Sequence, residues 1–410
     1  MKVHERLAEL ATLGATDAGI DRALFTPAEH AARSRFAAWA RASGLHVEQD
    51  RAGNVFARLP GSDDIPPVQC GSHLDTVRNG GAYDGAYGVI GGLEALERIA
   101  AALVPGERLR RPLEVVAWAG EEGSRFPLGC LGSAVYAGLT RLAEARALIA
   151  DDGISFAHAL HGAAGLLADV PVRADFPPPA AYVELHIEQG PVMEREGVHL
   201  GVVTAIAGQR RYAVEIAGEA GHARTVPMRH RADALCAAAE FTLAVERAAV
   251  EVGQSVATIG RLAVDPNQTN IVPGRVTLRI DARSVDDARV DAMHARFLDA
   301  AARLERRRNV RFTIEPLETR PSTPMNEHLR NILHLVCGAW DERAIDIASG
   351  AGHDAMCVAN VAPAAMIFVP SAGGRSHVGS ERTAPDDLEL GIQALTSALL
   401  AIHDDLDSTR

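Results

Sequence analysis

The stretch VQCGSHLDTVRNGGAYDGAYGVIGGLEALERIAAAL, residues 68–103, decides the fold class of this chain. It begins with a short apolar run at Val68–Cys70, passes through a glycine-rich loop, and ends in a long apolar segment at Gly88–Leu103. The short run predicts a buried strand and the long one a helix, because strands and helices differ in their usual length. A strand, a loop and a helix in this order form the repeating unit of an α/β layer.

The same alternation continues on both sides of this stretch. The predicted strands are Asn54–Ala57, Leu113–Trp118, Tyr182–Ile187, Leu200–Ala205 and Ala364–Val369. Helices are predicted in much of residues 1–50 and at Ser133–Ile149, Asn326–Ala339 and Asp386–His403. Strands that alternate with helices predict an α/β domain with a mainly parallel central sheet.

The middle of the chain has a different order of elements. Its predicted strands and helices are Arg210–Ala217, Arg231–Val250, Ser255–Val264, Arg275–Arg283, Asp286–Arg307 and Val310–Glu315. This β-α-β-β-α-β order is that of a ferredoxin-like unit. In Arg275–Arg283 apolar and polar residues alternate, so one face of the sheet packs under the helices and the other is polar. We therefore expect a domain at residues 208–319, inserted into an α/β domain formed by residues 1–207 and 320–410.

Composition excludes several classes of protein. The chain has 410 residues, with 41 Lys and Arg against 53 Asp and Glu, for a net charge of −12, and no long basic run. Binding to nucleic acid or to an anionic membrane is therefore not expected. No apolar stretch is long enough to span a membrane, and the start MKVHERLAEL lacks the apolar core of a signal peptide. The five cysteines contain no C-x-x-C pair, and we expect a cytoplasmic protein.

Metal-binding residue types occur at or just after the carboxyl ends of four predicted strands. The segments are VQCGSHLDTV with His73 and Asp75, EVVAWAGEEGSRF with Glu121 and Glu122, YVELHIEQG with His186, Glu188 and Gln189, and MIFVPSAGGRSH with His377. Ligands of open α/β sheets bind beyond the carboxyl ends of the strands, so these residues are expected to converge. Asp84 in GGAYDGAYG is a fifth candidate, because its glycine neighbours let the backbone approach an ion closely.

Each of these residues has an ordinary structural explanation when it is taken alone. A single histidine at a strand end is more often hydrogen-bonded than metal-bound, and adjacent glutamates usually face solvent. Together, histidines and carboxylates without cysteine suit zinc, manganese or cobalt at a catalytic site. Of the adjacent Glu121 and Glu122, one is expected to bind metal and the other to act as a general base. Asp75 is expected to orient the His73 imidazole, with plain solvation as its alternative.

The predicted insertion carries a second group of candidate residues. His222 lies in GEAGHARTVPM, Asn270 in PNQTNIVPG, and Arg283 at the end of a strand with one polar face. Arg211 has the same parity as the polar positions of its strand, whereas Arg210 has the parity of the apolar ones. Arginine together with an amide suits the recognition of a carboxylate, because the guanidinium group binds two oxygens at once. The alternative for each arginine is an ordinary surface charge.

The order of these motifs resembles that of a known family. GSHLDTVRNGGAYDGAYGV, EEGSRF, HIEQGPV, GHARTVPMRHRADAL, NIVPGRVTLRIDARS, SGAGHDAM and GGRSH span nearly the whole chain. In this respect the chain is similar to the two-domain di-metal amidohydrolases related to aminoacylase and carboxypeptidase G. Its branch resembles the N-carbamoyl-L-amino-acid hydrolases, β-ureidopropionases and allantoate amidohydrolases. The resemblance implies a zinc-peptidase-like catalytic domain and an inserted domain that serves as a lid and in dimerisation.

The resemblance also implies roles for individual residues. It implies a site for two divalent ions, Zn²⁺, Mn²⁺ or Co²⁺, with the ligands His73, Asp84, Glu122, His186 and His377. Asp84 would bridge an ion held by His73 and His186 and an ion held by Glu122 and His377. Glu121 would be the general base. The substrate-binding residues implied are His222, Asn270, Arg283, the backbone of Gly352 and, more weakly, Gln189 and Arg211.

The reaction implied is hydrolysis of a ureido group in a small carboxylate-bearing ureide, with release of ammonia and carbon dioxide. A homodimer formed through the inserted domain, with His222 acting in catalysis in one protomer or across the dimer, is also implied. A dipeptidase or N-acyl-amino-acid deacylase of the same fold stays open as an alternative, as does an inactive metal-binding homologue. A barrel-type amidohydrolase is not expected, because none of the sixteen histidines forms an H-x-H pair.

Overall fold

Four strands that are buried along their whole length form the middle of the main sheet in the computed structural model, which describes residues 2–104, 106–174 and 176–408. In order across the sheet they are Ala364–Val369, Ala181–Ile187, Val68–His73 and Leu113–Trp118, and neighbouring strands are parallel. Parallel strands are covered on both faces, which explains why their sequences are nearly continuous apolar runs. The prediction of a mainly parallel central sheet is confirmed.

Further strands extend this sheet on both sides. Val55–Leu59 pairs with Leu113–Trp118, and His46–Gln49 pairs with Val55–Leu59 at the edge. On the other side, Gly201–Ile206 pairs with Ala364–Val369, and Ile345–Ser349 pairs with Gly201–Ile206. His46–Gln49 and Ile345–Ser349 were not predicted, because both are short and mix polar with apolar residues.

The helices of the larger unit pack against both faces of this sheet or cover its loops. They are Lys2–Thr12, Pro27–Ala42, Ala86–Ala102, Leu131–Tyr136, Leu142–Ala147, Phe156–His161, Val192–Glu196, Glu327–Trp340, Asp354–Val358 and Pro385–Ser408. Ala15–Thr16 and Gly19–Ile20 form a small hairpin, and Ala372–Gly374 is a 3₁₀ turn. The segment Ser133–Ile149 is mostly helical, as predicted, but its helix is interrupted. Gly138, at a φ of +71°, separates two short helices there, since glycine adopts this conformation at a helix end without steric cost.

The described residues form two compact units. The larger unit comprises the described residues of 2–204, 325–347 and 351–408, and the smaller one comprises residues 205–324 and 348–350. None of the helices within 2–104, 106–174 and 176–408 is both long and apolar enough to cross a membrane.

The smaller unit is a four-stranded antiparallel sheet with two helices. Its main elements are Gly208–Ala217, Ala234–Val252, Ser255–Asp265, Arg275–Ser284, Asp287–Arg308 and Arg311–Arg320. The order across the sheet is Ser255–Asp265, Arg275–Ser284, Gly208–Ala217 and Arg311–Arg320. Shorter pieces are Gly221–His222, Met228–His230, Ile271–Val272 and Thr323–Pro324. The helices begin where the Asp233 and Asp286 side chains accept backbone N–H groups of their first turns.

The alternation predicted for strand Arg275–Ser284 is confirmed. Its apolar residues Val276, Leu278, Ile280 and Ala282 are buried in the same core as both helices. The residues between them are exposed or half-buried. One face of the sheet is therefore polar.

Candidate metal centre

The fold brings the predicted metal-binding residues to one edge of the main sheet. His73 is the last residue of its strand, and His186 is the next-to-last residue of the neighbouring parallel strand. Glu121 and Glu122 follow strand Leu113–Trp118, and His377 follows strand Ala364–Val369. Because these four strands are parallel, their carboxyl ends lie at the same edge.

Asp84 lies in the middle of this group. Its Oδ1 atom is 3.2 Å from Nε2 of His186 and 3.5 Å from Nε2 of His73. Its Oδ2 atom is 3.2 Å from Nε2 of His377, and that nitrogen is 3.5 Å from Oε2 of Glu122. The Asp84 carboxylate therefore lies between two sets of possible metal-ligand atoms, one set facing each of its oxygens.

Backbone carbonyl groups fix the orientation of two of the imidazoles. Nδ1 of His73 lies 3.0 Å from the carbonyl oxygen of Asp75, and Nδ1 of His186 lies 2.9 Å from that of Ile187. A carbonyl only accepts, so the ring proton is on Nδ1 and the Nε2 lone pair is on the side of Asp84; at His186 that nitrogen also accepts the backbone N–H of Gly85 at 3.2 Å. Lone pairs facing a carboxylate repel it unless a proton or a cation lies between them. The arrangement therefore fits a metal centre, in which histidine commonly donates its other nitrogen to a carbonyl group.

The spacing of the donor atoms also fits a metal ion. An ion with tetrahedral bonds of 2.0–2.1 Å separates its ligand atoms by about 3.3 Å, whereas an N–H···O bond is about 2.9 Å long. The four contacts of Asp84 and His377 measured above, 3.2–3.5 Å, are closer to the first value. Among the described residues, four triads of His, Asp and Glu have donor atoms within 4.8 Å of one another, and two of the four share Asp84, namely His73, Asp84 and His186, and Asp84, Glu122 and His377. All five predicted ligands are thus brought together, with Asp84 common to both triads.

Electrostatics at the site favour a bound cation. Burial raises the pKa of Glu121 to about 7. Burial and the charge of Asp84 raise the pKa of Glu122 well above its usual value. Burial opposes the charged form of His73, yet its contact with Asp84 and the charge of Glu121 raise its pKa well above the usual range. Without a cation the site therefore binds protons, which a divalent ion would replace.

The two adjacent glutamates point in different directions, as expected. Oε2 of Glu121 is 3.7 Å from Nε2 of His73, and its Oε1 accepts a bond of 3.4 Å from the Cys130 thiol. Glu122 directs Oε2 toward His377, and its Oε1 accepts the backbone N–H of Val77 at 3.2 Å. Glu121 therefore lies beside the donors without completing either of the two triads that share Asp84.

Asp75 contacts His73 through both its side chain and its backbone. Its carboxylate Oδ1 lies 3.6 Å from Nδ1 of His73, the ring that the sequence predicts it to orient. The Asp75 carbonyl oxygen is closer to the same nitrogen, as described above. The carboxylate also accepts the backbone N–H groups of Glu121 at 3.1 Å and of Glu122 at 3.2 Å. Asp75 thus positions the turn that carries both glutamates.

Strained backbone occurs on the Oδ2 side of Asp84. Gln189 and His377 have φ values of 59° and 60°, which residues other than glycine seldom adopt. Such strain often marks functional sites. The sequence suggested that Gln189 binds substrate. In the structure its Nε2 donates to Asp84 Oδ2 at 2.8 Å. Gly352, the other substrate-binding candidate of the larger unit, lies in an exposed loop before helix Asp354–Val358.

Among the residues at the site that were not predicted are Cys130, Ser376 and Glu381, and also Glu184 and His353, which lie beside His186. The Ser376 hydroxyl lies 2.9 Å from Asp84 Oδ2 and 2.7 Å from Glu381 Oε2. Ser376 precedes His377 directly, and this was the only signal in the sequence that could have identified it. Cys130 and Glu381 approach the site through loop packing, for which the sequence has no visible signal.

In the smaller unit, His222 and Asn270 are neighbours. The strand Gly221–His222 pairs with Ile271–Val272, with His222 opposite Ile271. The N–H of Ala223 donates to the carbonyl oxygen of Asn270 at 3.0 Å. Both candidate residues are exposed. The backbone pairing therefore brings these two exposed residues next to each other.

Arg211 and Arg283 form a second group, around Asp281. Arg283 donates to the Asp281 carboxylate through Nε at 2.9 Å and Nη2 at 3.2 Å, and Arg211 donates to it through Nε at 3.2 Å. Arg210 pairs with Asp291 of a helix instead. The predicted difference between Arg210 and Arg211 is confirmed, because only Arg211 lies on the polar face of the sheet.

Comparisons with known proteins identify the family to which the chain belongs. The family model "Peptidase family M20/M25/M40" matches residues 70–401. An N-carbamoyl-L-amino-acid amidohydrolase of Paenarthrobacter aurescens is 36% identical, over 98% of this chain and 97% of the relative. An allantoate amidohydrolase of Bacillus subtilis is 36% identical, over 95% of this chain and 94% of the relative.

A solved structure is also similar over the whole chain. It is an amidase of the hydantoinase/carbamoylase family from Burkholderia multivorans, with a TM-score of 0.91 and 36% identity. The alignment covers 97% of this chain and 96% of that one. The chain therefore belongs to peptidase family M20/M25/M40 and is a hydrolytic enzyme of the amidohydrolase type.

Proposed function

We propose that the enzyme hydrolyses the ureido C–N bond of a small ureide that carries a carboxylate, allantoate or an N-carbamoyl-L-amino acid. Ammonia leaves, and the carbamate product then loses carbon dioxide. The observation that carries the proposal is the position of Asp84 between two sets of donors, with Glu121 beside them. The names of the relatives support this class of substrate over dipeptides and N-acyl amino acids.

The two triads that share Asp84 would hold two divalent ions. His73 and His186 would bind one ion and Glu122 and His377 the other, with Asp84 as the common ligand. Zn²⁺, Mn²⁺ and Co²⁺ all suit this mixture of imidazole and carboxylate. When bound, such ions polarise a carbonyl group and lower the pKa of water, so that hydroxide is available near neutral pH.

Glu121 is the proposed general base. Its carboxylate is nearly buried and close to His73, and its pKa of about 7 allows it both to take and to return a proton near neutral pH. It would take a proton from the attacking water and deliver it to the departing nitrogen. The Cys130 thiol donates to the Glu121 carboxylate, and the Glu121 backbone N–H donates to Asp75, so both the side chain and its backbone are held in place.

The candidate residues of the smaller unit are proposed to bind the substrate. Arg283, with Arg211 beside it, would anchor the carboxylate through charge-assisted hydrogen bonds. His222 and Asn270 would donate to the ureido oxygen as negative charge develops on it. Gln189 and the Gly352 backbone are the corresponding candidates in the larger unit. A homodimer formed through the smaller unit is also part of the proposal.

Ammonia release from a panel of substrates tests the proposal. The purified protein, loaded with Mn²⁺ or Zn²⁺, is given allantoate, N-carbamoyl-L-amino acids, N-carbamoyl-β-alanine, dipeptides and N-acetyl amino acids. We expect turnover of one or more ureides. Turnover of dipeptides or N-acetyl amino acids alone would refute the proposed substrate class.

The Glu121→Gln variant separates catalysis from metal binding. General bases typically contribute about 10²–10⁴-fold to the rate, so kcat should fall by that factor while the metal content stays at that of the parent. The Glu122→Gln variant should lose metal as well. A Glu121→Gln enzyme with parental kcat would contradict the role assigned to Glu121.

A further inference from the structure

A buried carboxylate that none of the roles above uses lies next to Asp84. Glu381 is 6% exposed and belongs to the segment that follows His377. Its Oε1 accepts two backbone N–H groups, from Tyr83 at 2.9 Å and from Asp84 at 3.0 Å. Its Oε2 accepts the Ser376 hydroxyl at 2.7 Å. Glu381 therefore joins the loop that carries Asp84 to the loop that carries His377.

Ser376 extends this connection to the Asp84 side chain. Its hydroxyl lies between Glu381 Oε2 and Asp84 Oδ2, at 2.7 Å and 2.9 Å. Asp84 is thus linked to Glu381 directly through its backbone N–H, and the single Ser376 hydroxyl proton lies within reach of both carboxylates. The Ser376 contact is on the Oδ2 side of Asp84, the side that faces His377.

The surrounding backbone leaves room for this carboxylate. A Cβ atom on Gly81 would lie 2.1 Å from the carboxyl group of Glu381, so a side chain at position 81 would displace it. Burying a carboxylate beside a second one is unfavourable, and hydrogen bonds must offset the cost. The three donors described above supply these bonds. Such a costly arrangement next to the site calls for a role that a neutral side chain would not fill.

The two triads that share Asp84 differ in how they are supported. His73 and His186 are buried and lie on neighbouring central strands, so the sheet itself holds them. The His377 side chain is 50% exposed and lies on a loop with a φ of 60° at the residue itself. The triad that contains His377 therefore depends on contacts that fix its loop against Asp84.

We infer that Glu381 is a positioning residue for the metal-binding half formed by Asp84, Glu122 and His377. It holds Asp84 Oδ2 and the Ser376–His377 segment at a fixed separation. The inference rests on the proposed function, because it requires two ion sites. Removing Glu381 should weaken the binding of one of the two ions and leave the other nearly unchanged.

Metal titration of the chelator-treated protein tests the inference. Zn²⁺ or Mn²⁺ is added to the parent, Glu381→Ala, Glu381→Gln and Ser376→Ala proteins, and binding is followed by calorimetry and by metal analysis after dialysis. Loss of a group that orients metal ligands typically lowers metal affinity about 10–100-fold. We expect that loss for one ion in Glu381→Ala, and a smaller loss for the same ion in Ser376→Ala. Glu381→Gln should recover part of it, because its amide oxygen can still accept the two backbone N–H groups.

Glu389→Gln is the matched control. Glu389 is a hydrogen-bonded carboxylate on helix Pro385–Ser408, paired with Arg98 at 2.7 Å, and its variant should bind both ions as the parent does. Two parental affinities in Glu381→Ala, or equal weakening of both ions, would overturn the inference. If Glu381→Ala does not fold, Ser376→Ala decides by the same criterion. A parent protein that binds fewer than two ions would instead refute the proposed function.

Discussion

The Asp75 carboxylate accepts the backbone N–H of Glu121 at 3.1 Å, through its Oδ1 atom. Its other oxygen accepts the N–H of Glu122 at 3.2 Å. One buried side chain therefore fixes the turn that presents the proposed base and a proposed metal ligand. The same residue contacts the His73 ring through its carbonyl oxygen. Asp75 thus connects three residues of the site without facing the substrate itself.

The Asp75→Asn variant should lower activity and only slightly lower stability. An asparagine offers one carbonyl oxygen, so its amide group would face one of the two N–H groups that Asp75 accepts. A buried N–H left without an acceptor costs about 1–3 kcal/mol. We expect kcat to fall about 10-fold or more, because the turn that carries Glu121 shifts.

Steady-state kinetics and the thermal midpoint Tm check this prediction. The control is Asp299→Asn, which alters an exposed carboxylate paired with Arg303 on a surface helix. It should leave both quantities unchanged. A parental kcat in Asp75→Asn would show that the turn keeps its position without two accepted hydrogen bonds.

The metal-free protein should become less stable as the pH rises from about 6 to 8. Burial alone would lower the pKa values of His73 and His186, but the neighbouring carboxylates outweigh this effect and raise both. Contact with Asp84 likewise raises the pKa of His377. Burial raises the pKa values of Glu121 and Glu122. All five groups therefore keep protons in the folded state at a pH at which the unfolded chain has lost them. Stability falls with pH wherever the folded state binds more protons.

Divalent ions should reverse this trend, because they replace the protons that the site binds. The pKa of Asp84 is shifted the other way, because three histidines hold it well below its usual value although burial would raise it. Its titration therefore affects stability only at acid pH, outside the range tested. Thermal melting of chelator-treated protein at pH 6 and pH 8, with and without Mn²⁺ or Zn²⁺, provides the measurement. The gain in Tm from metal should be larger at pH 8. A metal-free Tm that rises between these values would contradict the assignment of raised pKa values.

Gly85 is expected to be essential for metal binding. Its φ is +63°, and a Cβ atom there would lie 2.4 Å from the His73 ring. Gly85→Ala should therefore displace the His73 imidazole and lower metal affinity about 10-fold or more. Gly44→Ala is a matched control, since Gly44 also has a positive φ, +79°, but no atom lies within 4 Å of the added carbon.

The comparison of these two variants by metal titration separates the two effects of an added methyl group. Both should lose some stability from the unfavourable φ. Only Gly85→Ala should lose metal affinity. Equal metal affinities in the two variants would mean that the His73 ring moves aside without cost.

The sequence was sufficient to predict the residues of the site that are placed by strands. His73 and His186 lie on apolar runs whose ends had to meet, because parallel strands share an edge. Side-chain contacts made by loops could not be predicted in this way. Glu381 contacts Tyr83 and Asp84, which are about three hundred residues away along the chain. Asp75 lies beyond the end of its strand at His73, where the alternation of strand side chains no longer applies. Their partners depend on loop conformations that only the folded chain defines.

Arg283 should determine the affinity for substrates that carry a carboxylate. Its Nε and Nη2 already bind Asp281 and its Nη1 donates to the carbonyl oxygen of Gly350 at 2.9 Å, which keeps the guanidinium group in one orientation. Arg283→Ala leaves Asp281 with Arg211 and Gln209 as partners, so the fold should survive the change. A charge-assisted hydrogen bond contributes about 1.5–3 kcal/mol, so KM should rise about 10–100-fold. A matched substrate with an amide in place of the carboxylate should lose much less.

Arg210→Ala is the control for this last prediction, because Arg210 lies on the opposite face of the same sheet and pairs with Asp291. Its KM values for both substrates should remain those of the parent. Arg283→Lys is expected to recover only part of the affinity, since an ammonium group does not reproduce the planar fork of the guanidinium group. If KM for the carboxylate substrate is unchanged in Arg283→Ala, the role of Arg283 is limited to its bonds with Asp281 and Gly350. The anchor would then have to be sought elsewhere, with Arg211 as the next residue to test.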